Sequence, residues 1–189
     1  MKKILLTLIM VFLLTSVVGA EDYDFRKVNW GMSVEQVKEN EKSQLLDGND
    51  ETLMYRVDLN NNEYVLLYGF KNDKLYKTVY ILDESFELGT TYVSEYNYFK
   101  KLLTEKYGNA SGEGKVWIDD TYKDNIKLAL YYKDLIYKNK WENNKVEIDT
   151  VLSSSNDKIV IFLQYVSKEY KHLQEEQDKE DEEKTKSNL

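Results

Sequence analysis

Alternating apolar and polar residues dominate the first half of the chain and predict antiparallel strands. Apolar side chains occupy every second position in residues 53–59 and 64–70, and residues 75–82 form a third apolar run. Short turns rich in Asn, Asp and Lys separate the runs, at residues 60–62 and 71–74. Period-two runs joined by such turns are typical of an antiparallel meander. Three consecutive strands are therefore predicted here.

A helix is predicted to begin just before these strands, at Val34. Ser33 is a suitable N-cap, and Gln36, three residues later, completes the spacing of a capping box. Met32 and Val37 occupy the positions of a hydrophobic staple. The pattern predicts a short helix from Val34 to about residue 41.

The second half of the chain repeats the order of a helix followed by strands. Apolar residues recur at intervals of three and four from Tyr92 to Tyr107, and Gly108 stands where a helix C-cap is expected. The remaining predicted elements are a short strand at 116–118, a helical turn at 126–132, and strands at 135–141, 145–152 and 158–166. The predicted fold class is α+β: two helix-plus-three-strand antiparallel units, residues 25–83 and 91–167, with the helices packed on an antiparallel sheet.

The first twenty residues have the three-part layout of a secretory signal peptide. Two lysines precede an apolar run over residues 4–14, and Val18 and Ala20 provide the small residues before Glu21. The apolar run is too short to span a membrane. We therefore expect cleavage near Ala20/Glu21 and a secreted or periplasmic product, with residues 21–173 as a single α+β domain.

The chain has no cysteine, and its last residues are almost all polar. A lipid anchor on an N-terminal cysteine and disulfide bonds are thus both excluded, and no second run of about twenty apolar residues follows the signal. We expect no membrane anchor after signal cleavage. Residues 174–189 are predicted to form either a disordered tail or the frayed end of a helix that starts near residue 167.

Charge and composition exclude several classes of function. The formal net charge is −8, and it becomes −10 without the two lysines of the signal peptide. An acidic surface repels phosphate backbones, so no nucleic-acid partner is expected. The only histidine, His172, adjoins the charged tail, and one histidine without cysteine builds neither a catalytic triad nor a typical zinc centre. We expect no catalytic residue set, no cofactor and no metal.

The segment FRKVNWGMSVEQV, residues 25–37, resembles the start of small exported bacterial proteins. In those proteins a G-M-S/T-x-x-E/Q-V motif opens a helix before an antiparallel sheet. The segment is similar to the BLIP-like architecture of the β-lactamase inhibitor protein and the SmpA/OmlA outer-membrane assembly lipoproteins. The resemblance covers thirteen residues. It implies a tandem fold and a tendency toward protein binding, without a catalytic residue set.

Sixteen tyrosines are the most unusual feature of the composition. Several occupy predicted apolar faces and are expected in the core: Tyr64, Tyr68, Tyr96 and Tyr165. Tyr76 and Tyr80 differ, because they are out of phase with Leu75, Val79 and Ile81 on the same strand. If that face of the sheet is uncovered, the two rings line it and form a partner-binding surface. The alternative is that the second half of the chain covers them.

The sequence thus predicts a soluble, non-enzymatic, extracytoplasmic binding module that contacts a protein partner through a sheet face. A carboxylate-dependent hydrolase acting on envelope or extracellular glycans is one alternative, and a structural envelope protein is another. An uncovered aromatic sheet face favours binding, whereas a cleft with two carboxylates about 5 to 10 Å apart favours hydrolysis. The oligomeric state stays open, as does whether the two halves share one sheet.

Overall fold

The computed structural model describes residues 23–187, which have the predicted α+β class. The elements are, in chain order, helix α1 (Val34–Asn40), strands β1 (Gln44–Gly48), β2 (Thr52–Leu59), β3 (Asn62–Lys71) and β4 (Lys74–Leu82), helix α2 (Gly89–Tyr107), strand β5 (Ser111–Trp117), helix α3 (Ile126–Tyr131), strands β6 (Leu135–Glu142), β7 (Val146–Ser155) and β8 (Lys158–Ser167), and helix α4 (Lys171–Ser187). The predicted signal peptide and its cleavage site lie outside the described residues.

The eight strands form one antiparallel sheet, in the order β1-β2-β3-β4-β8-β7-β6-β5. Each half of the chain contributes four strands, and the halves meet where β4 pairs with β8. The sheet is therefore larger than the predicted pair of three-stranded units. The sequence pattern misses β1 because all five of its residues are exposed, and an exposed strand carries no apolar alternation. It also assigns the start of β5 to a loop, because two glycines interrupt that segment.

Three hairpins of the sheet turn through two consecutive residues with positive φ. The pairs Asn60–Asn61, Asn72–Asp73 and Asn156–Asp157 have φ values between 48° and 60°. A two-residue type I′ turn needs positive φ at both central positions, and Asn and Asp tolerate this region better than other residues with a Cβ atom. The turns predicted at residues 60–62 and 71–74 are confirmed, and the third pair makes a turn of the same kind between β7 and β8.

Helix α1 begins where the capping pattern predicts. The Ser33 hydroxyl accepts a hydrogen bond from the Gln36 backbone N–H at 3.2 Å, and the Gln36 side chain accepts one from the Ser33 N–H at 2.9 Å. Met32 packs against the core, and Val37 is fully buried. The capping box predicted from the sequence is confirmed.

We expect Ser33→Ala to lower the free energy of unfolding by about 1 kcal/mol, because the Gln36 N–H loses its acceptor. Urea denaturation measures the change. The matched control is Ser94→Ala on the exposed side of α2, which should change the free energy of unfolding by less than about 0.5 kcal/mol. Equal midpoints for the two variants would contradict a capping role for Ser33.

The core lies between one face of the sheet and helices α1, α2 and α3. Tyr64, Tyr68 and Tyr96 are buried there, as predicted, and Tyr165 packs against the core while partly exposed. Buried polar atoms on this covered face are mostly hydrogen-bonded. The Tyr64 hydroxyl donates to Glu95 at 2.8 Å, and the Tyr96 hydroxyl donates to the Asn139 side chain at 2.9 Å.

The charged C-terminal segment forms helix α4, which lies at one end of the opposite sheet face and contacts β4 and β8. Of its described residues, only Leu173 is buried. Ion pairs provide the other main contacts: Lys171 pairs with Glu147 at 2.7 Å, and Lys71 pairs with Glu180. Two alternatives were predicted for residues 174–189, a disordered tail and the end of a helix. The structure shows the helix, which extends to Ser187.

Candidate interaction surface

Tyr80, one of the two tyrosines predicted to line a binding surface, is buried in the core. Only 7 % of the residue is exposed. Its ring packs on the covered face against Phe25 and Tyr165, with ring centroids 5.6 and 6.5 Å apart. Tyr80 therefore does not stand on an uncovered face, and a partner at the surface does not reach it.

Tyr76, the second predicted tyrosine, is 2 % exposed and lies beneath α4. It is an extra residue in β4, because the residues on either side of it pair with consecutive residues of β3. Such a bulge shifts the alternation of side chains along a strand. Tyr76 consequently stacks near Lys77, whose Nζ lies 5.3 Å from the ring centroid, and lines a narrow cavity with Gln177 and Asp181 of α4. A later part of the chain covers this position, as the alternative interpretation expected.

Beyond the bulge at Tyr76, the phase of β4 is the reverse of the predicted one; Leu75, which precedes the bulge, is buried in the core as predicted. Val79 and Ile81, which the pattern assigned to the core side, are half-buried on the face opposite α1, α2 and α3. Tyr80, between them, points into the core. Because β4 is apolar on both faces, its own sequence does not reveal which face the rest of the chain covers.

An apolar stripe crosses the face of the sheet opposite α1, α2 and α3, which we call the open face. The stripe runs over four adjacent strands through cross-strand neighbours that are all half-buried: Val65 and Leu67 of β3, Val79 and Ile81 of β4, Phe162 of β8 and Val151 of β7. Among residues 23–187, only α4 lies over this face, at the end that carries Tyr76. The stripe itself stays accessible to a partner.

The open face contains a depression of about 680 Å³ at one end of the stripe. The side chains of its floor and walls on this face come from β6, β7 and β8: Lys138, Lys140, Asp149, Val151, Phe162 and Gln164. Its rim includes Ser111 and Gly112, where β5 bulges away from regular pairing with β6. Gly112 and Gly114 have φ of 105° and 72°, which glycine adopts without strain.

The charged groups of the depression differ in how they are paired. The Lys140 Nζ lies 3.0 Å from Glu147, which also accepts from Lys171 at 2.7 Å. The hydrogen bond from Lys171, with help from Lys140, holds the pKa of Glu147 below its usual value. Asp149 lies directly opposite Lys140 in the β6–β7 register, yet makes no hydrogen bond or ion pair with the described residues. Burial raises the pKa of the Asp149 carboxyl.

Among residues 23–187, two carboxylates are buried, those of Glu41 and Glu95, and both accept hydrogen bonds; Glu41 also borders a depression beside Arg26. Glu41 accepts hydrogen bonds from Tyr68 and Arg26, and Glu95 accepts from Tyr64 and Asn60. Within the described part of the chain, no group of three or more acidic or histidine side chains could hold a metal ion.

The two edges of the sheet are poor places for a partner strand. In the described pairing, β1 is irregular between Leu45 and Asp47 against β2, and β5 is irregular between Ser111 and Gly114 against β6. Bulged edge strands resist the addition of a further strand. The open face is therefore the better candidate for an interaction surface.

The residues of the open face leave a signal in the sequence, in the form of runs that are apolar at nearly every position. Residues 64–68, 78–82 and 159–163 are apolar at almost every position, so their strands are apolar on both faces. In a sheet covered by helices on one side, such runs indicate a second apolar surface. The sequence could have predicted that surface, but not its side of the sheet.

Comparison of the chain with protein-family models, curated proteins and solved structures gives no match. Across residues 23–187, every helix is too short or too polar to cross a bilayer.

Proposed function

We propose that the protein is a non-enzymatic binding module that contacts a protein partner through its open face. The observation that carries the proposal is the apolar stripe, in which six half-buried side chains cross four strands and no described element lies over them. A contiguous exposed apolar surface with polar residues around it is typical of protein-interaction sites. Phe162, at the depression, is the kind of aromatic anchor that provides much of the binding energy of an interface.

The rigidity of the sheet favours this role. The stripe belongs to strands in the middle of an eight-stranded sheet whose other face is packed against three helices. A surface held in this way loses little conformational entropy when a partner binds. The same helices and strands would position each contact side chain before the partner arrives.

We further propose a BLIP-like tandem arrangement and an extracytoplasmic location. The tandem proposal is supported by the order of a helix followed by strands in both halves and by the resemblance of residues 25–37 to exported proteins of that architecture. The location is supported by the signal-peptide layout of residues 1–20. A binding module outside the cytoplasm meets partners at the cell surface or in the surrounding medium.

Photo-crosslinking from the open face tests the proposed function. The full-length chain is expressed in its source organism with a benzophenone amino acid in place of Phe162. We expect a discrete adduct with a partner protein, identified by mass spectrometry. The matched control carries the same amino acid in place of Tyr98, an aromatic residue that is 40 % exposed on the outer side of α2, and should give no such adduct.

A second substitution on the stripe makes the test specific. Val79→Asp places a charge in the middle of the apolar stripe and should reduce the Phe162 adduct by about tenfold or more, since a desolvated charge weakens an interface. Circular dichroism shows whether the variant keeps its fold. The proposal is refuted if Phe162 gives no adduct, if both positions give the same adducts, or if a folded Val79→Asp variant crosslinks as well as the parent.

A further inference from the structure

Helix α4 covers one end of the open face. Tyr76 is 2 % exposed there, although it does not belong to the core cluster between the sheet and the other helices. Leu67 of the apolar stripe and Lys77 lie beside it, and all three line a cavity together with Gln177 and Asp181 of α4. The surface that begins with the apolar stripe therefore continues beneath the helix.

The two ends of α4 are held in different ways. At its start, Leu173 is buried, and Tyr170 packs so closely on Gly31 that a side chain at Gly31 would collide with the tyrosine hydroxyl. Residues 174–187, which form the rest of the helix, contain no apolar side chain. This part of α4 consequently gains little from hydrophobic burial. The start of the helix is anchored, and the remainder is free to pivot near residue 174.

The packing of residues 174–187 on the sheet is incomplete. The cavity that lies between Tyr76 and this part of α4 has a volume of about 190 Å³. The side-chain carbonyl oxygen of Gln174 is buried but accepts no hydrogen bond within the described part of the chain. A buried acceptor without a donor costs free energy, which is recovered when water reaches it. Packing alone therefore does little to keep this part of the helix on the sheet.

Opposite charges hold residues 174–187 in place. The Lys71 Nζ forms an ion pair with Glu180. Burial lowers the pKa of the half-buried Lys77 amino group, and the carboxylates of Asp178 and Asp181 oppose this shift. Partly exposed ion pairs contribute little to stability and weaken as salt is added. Contacts of this strength favour the covered state by a factor of about five.

We propose that residues 174–187 of α4 are a displaceable cover, which hides one end of the binding surface and has to move aside before a partner contacts the whole open face. When the cover pivots away, the accessible surface extends from the apolar stripe to Tyr76 and Lys77. This inference rests on the proposed function and describes how the same surface is regulated. The apparent affinity for the partner is reduced in proportion to the fraction of chains that are uncovered.

Hydrogen exchange of the full-length chain, followed by mass spectrometry, tests whether the cover moves. A short helix that has left the sheet is marginally stable, so its amides exchange faster. We expect residues 174–187 to lose protection in Glu180→Lys at low salt, and in the wild type when sodium chloride rises from about 0.05 M to about 1 M. Strands β3 and β4 should keep their protection in both cases.

The matched control is Glu175→Lys, at an exposed position of the same helix. Both substitutions change the charge by two units, and each places a lysine four residues before another lysine, Lys184 for Glu180→Lys and Lys179 for Glu175→Lys. Repulsion within the helix is therefore present in both variants. Only Glu180→Lys removes the ion pair with Lys71, so the control should keep more protection in residues 174–187.

Crosslinking through position 162 tests whether the cover regulates binding. The benzophenone amino acid in place of Phe162 should give about fivefold more partner adduct in Glu180→Lys than in Glu175→Lys. If residues 174–187 keep their protection in Glu180→Lys and at high salt, the helix is a fixed part of the fold and the inference is wrong. If the helix is released but the adduct does not increase, the regulatory role is refuted and the binding module stands. If none of the chains gives an adduct, both proposals fail.

Discussion

Replacing Glu41 with Gln is expected to lower the free energy of unfolding by about 3 kcal/mol near neutral pH. The Glu41 carboxylate is buried and accepts hydrogen bonds from the Tyr68 hydroxyl at 2.6 Å, the Arg26 Nε at 2.9 Å and the Ser43 backbone N–H at 2.9 Å. An amide keeps the shape of the side chain but removes the charge that faces Arg26. It also directs an NH₂ group toward donors that need an acceptor.

The same contacts determine how stability depends on pH. Burial alone would raise the pKa of Glu41, but the hydrogen bonds from Tyr68 and Ser43, together with the Arg26 charge, lower the pKa from 4.5 to about 2. The unfolded chain therefore binds the proton more readily than the folded chain does. The stabilisation is complete above about pH 5 and is lost as the pH falls toward 2.

Urea denaturation at about pH 7 and about pH 3 measures both effects. The wild type should lose more stability than Glu41→Gln between these two pH values, because only the wild type has this carboxylate to protonate. Glu39→Gln, at an exposed position on α1, is the control and should behave like the wild type. If Glu41→Gln kept the full acid sensitivity of the wild type, the dependence would belong to another group.

The second large effect is expected at Tyr80. Tyr80→Ser should lower the free energy of unfolding by about 3 kcal/mol or more, because it leaves a cavity beside Phe25 and Tyr165 in the core. Its neighbour Val79 is the matched control: Val79→Ser removes a half-buried side chain from the open face, where water fills the space, and should cost about 1 kcal/mol or less.

Thermal or urea unfolding of the two variants decides which face of β4 is covered. The opposite ranking, with Val79→Ser the more damaging, would mean that the core lies on the Val79 side. The crosslinking experiment provides the complementary measurement: Val79→Ser should weaken capture through Phe162 while the fold is retained. A Tyr80→Ser variant as stable as the wild type would mean that Tyr80 is not buried in the core and could contact a partner at the surface.

The elements that the sequence predicts best are those encoded by neighbouring residues. The capping box of Ser33 and Gln36 and the turn pairs Asn60–Asn61 and Asn72–Asp73 depend on local backbone geometry alone, so they were predictable. The phase of β4 was not predictable, because it depends on which side helices from other parts of the chain approach. A strand that is apolar on both faces carries no information on that choice.

The candidate interaction surface could also be predicted from the sequence only in part. The position of Tyr76 depends on a bulge in the pairing of β4 with β3, which no local pattern announces. Asp149 alternates with buried Ile148 and Thr150 like any polar residue on the outer side of a strand. Lys140, directly opposite Asp149, forms its ion pair with Glu147 instead, and this depends on how the side chains lie in the folded sheet.

The open face is complete only when β4 has paired with β8, which we call the junction of the two halves. Apart from this junction, every strand pairing in the described sheet joins strands that are consecutive in the chain. The junction has five residue pairs against ten between β7 and β8, and its partners are about eighty to ninety residues apart. Closing so long a loop costs entropy that local hairpins do not pay, so this junction should form late in folding. Because the apolar stripe passes across it, a half-assembled chain has no complete surface to offer. A partner that binds this surface would therefore bind only chains in which both halves have folded.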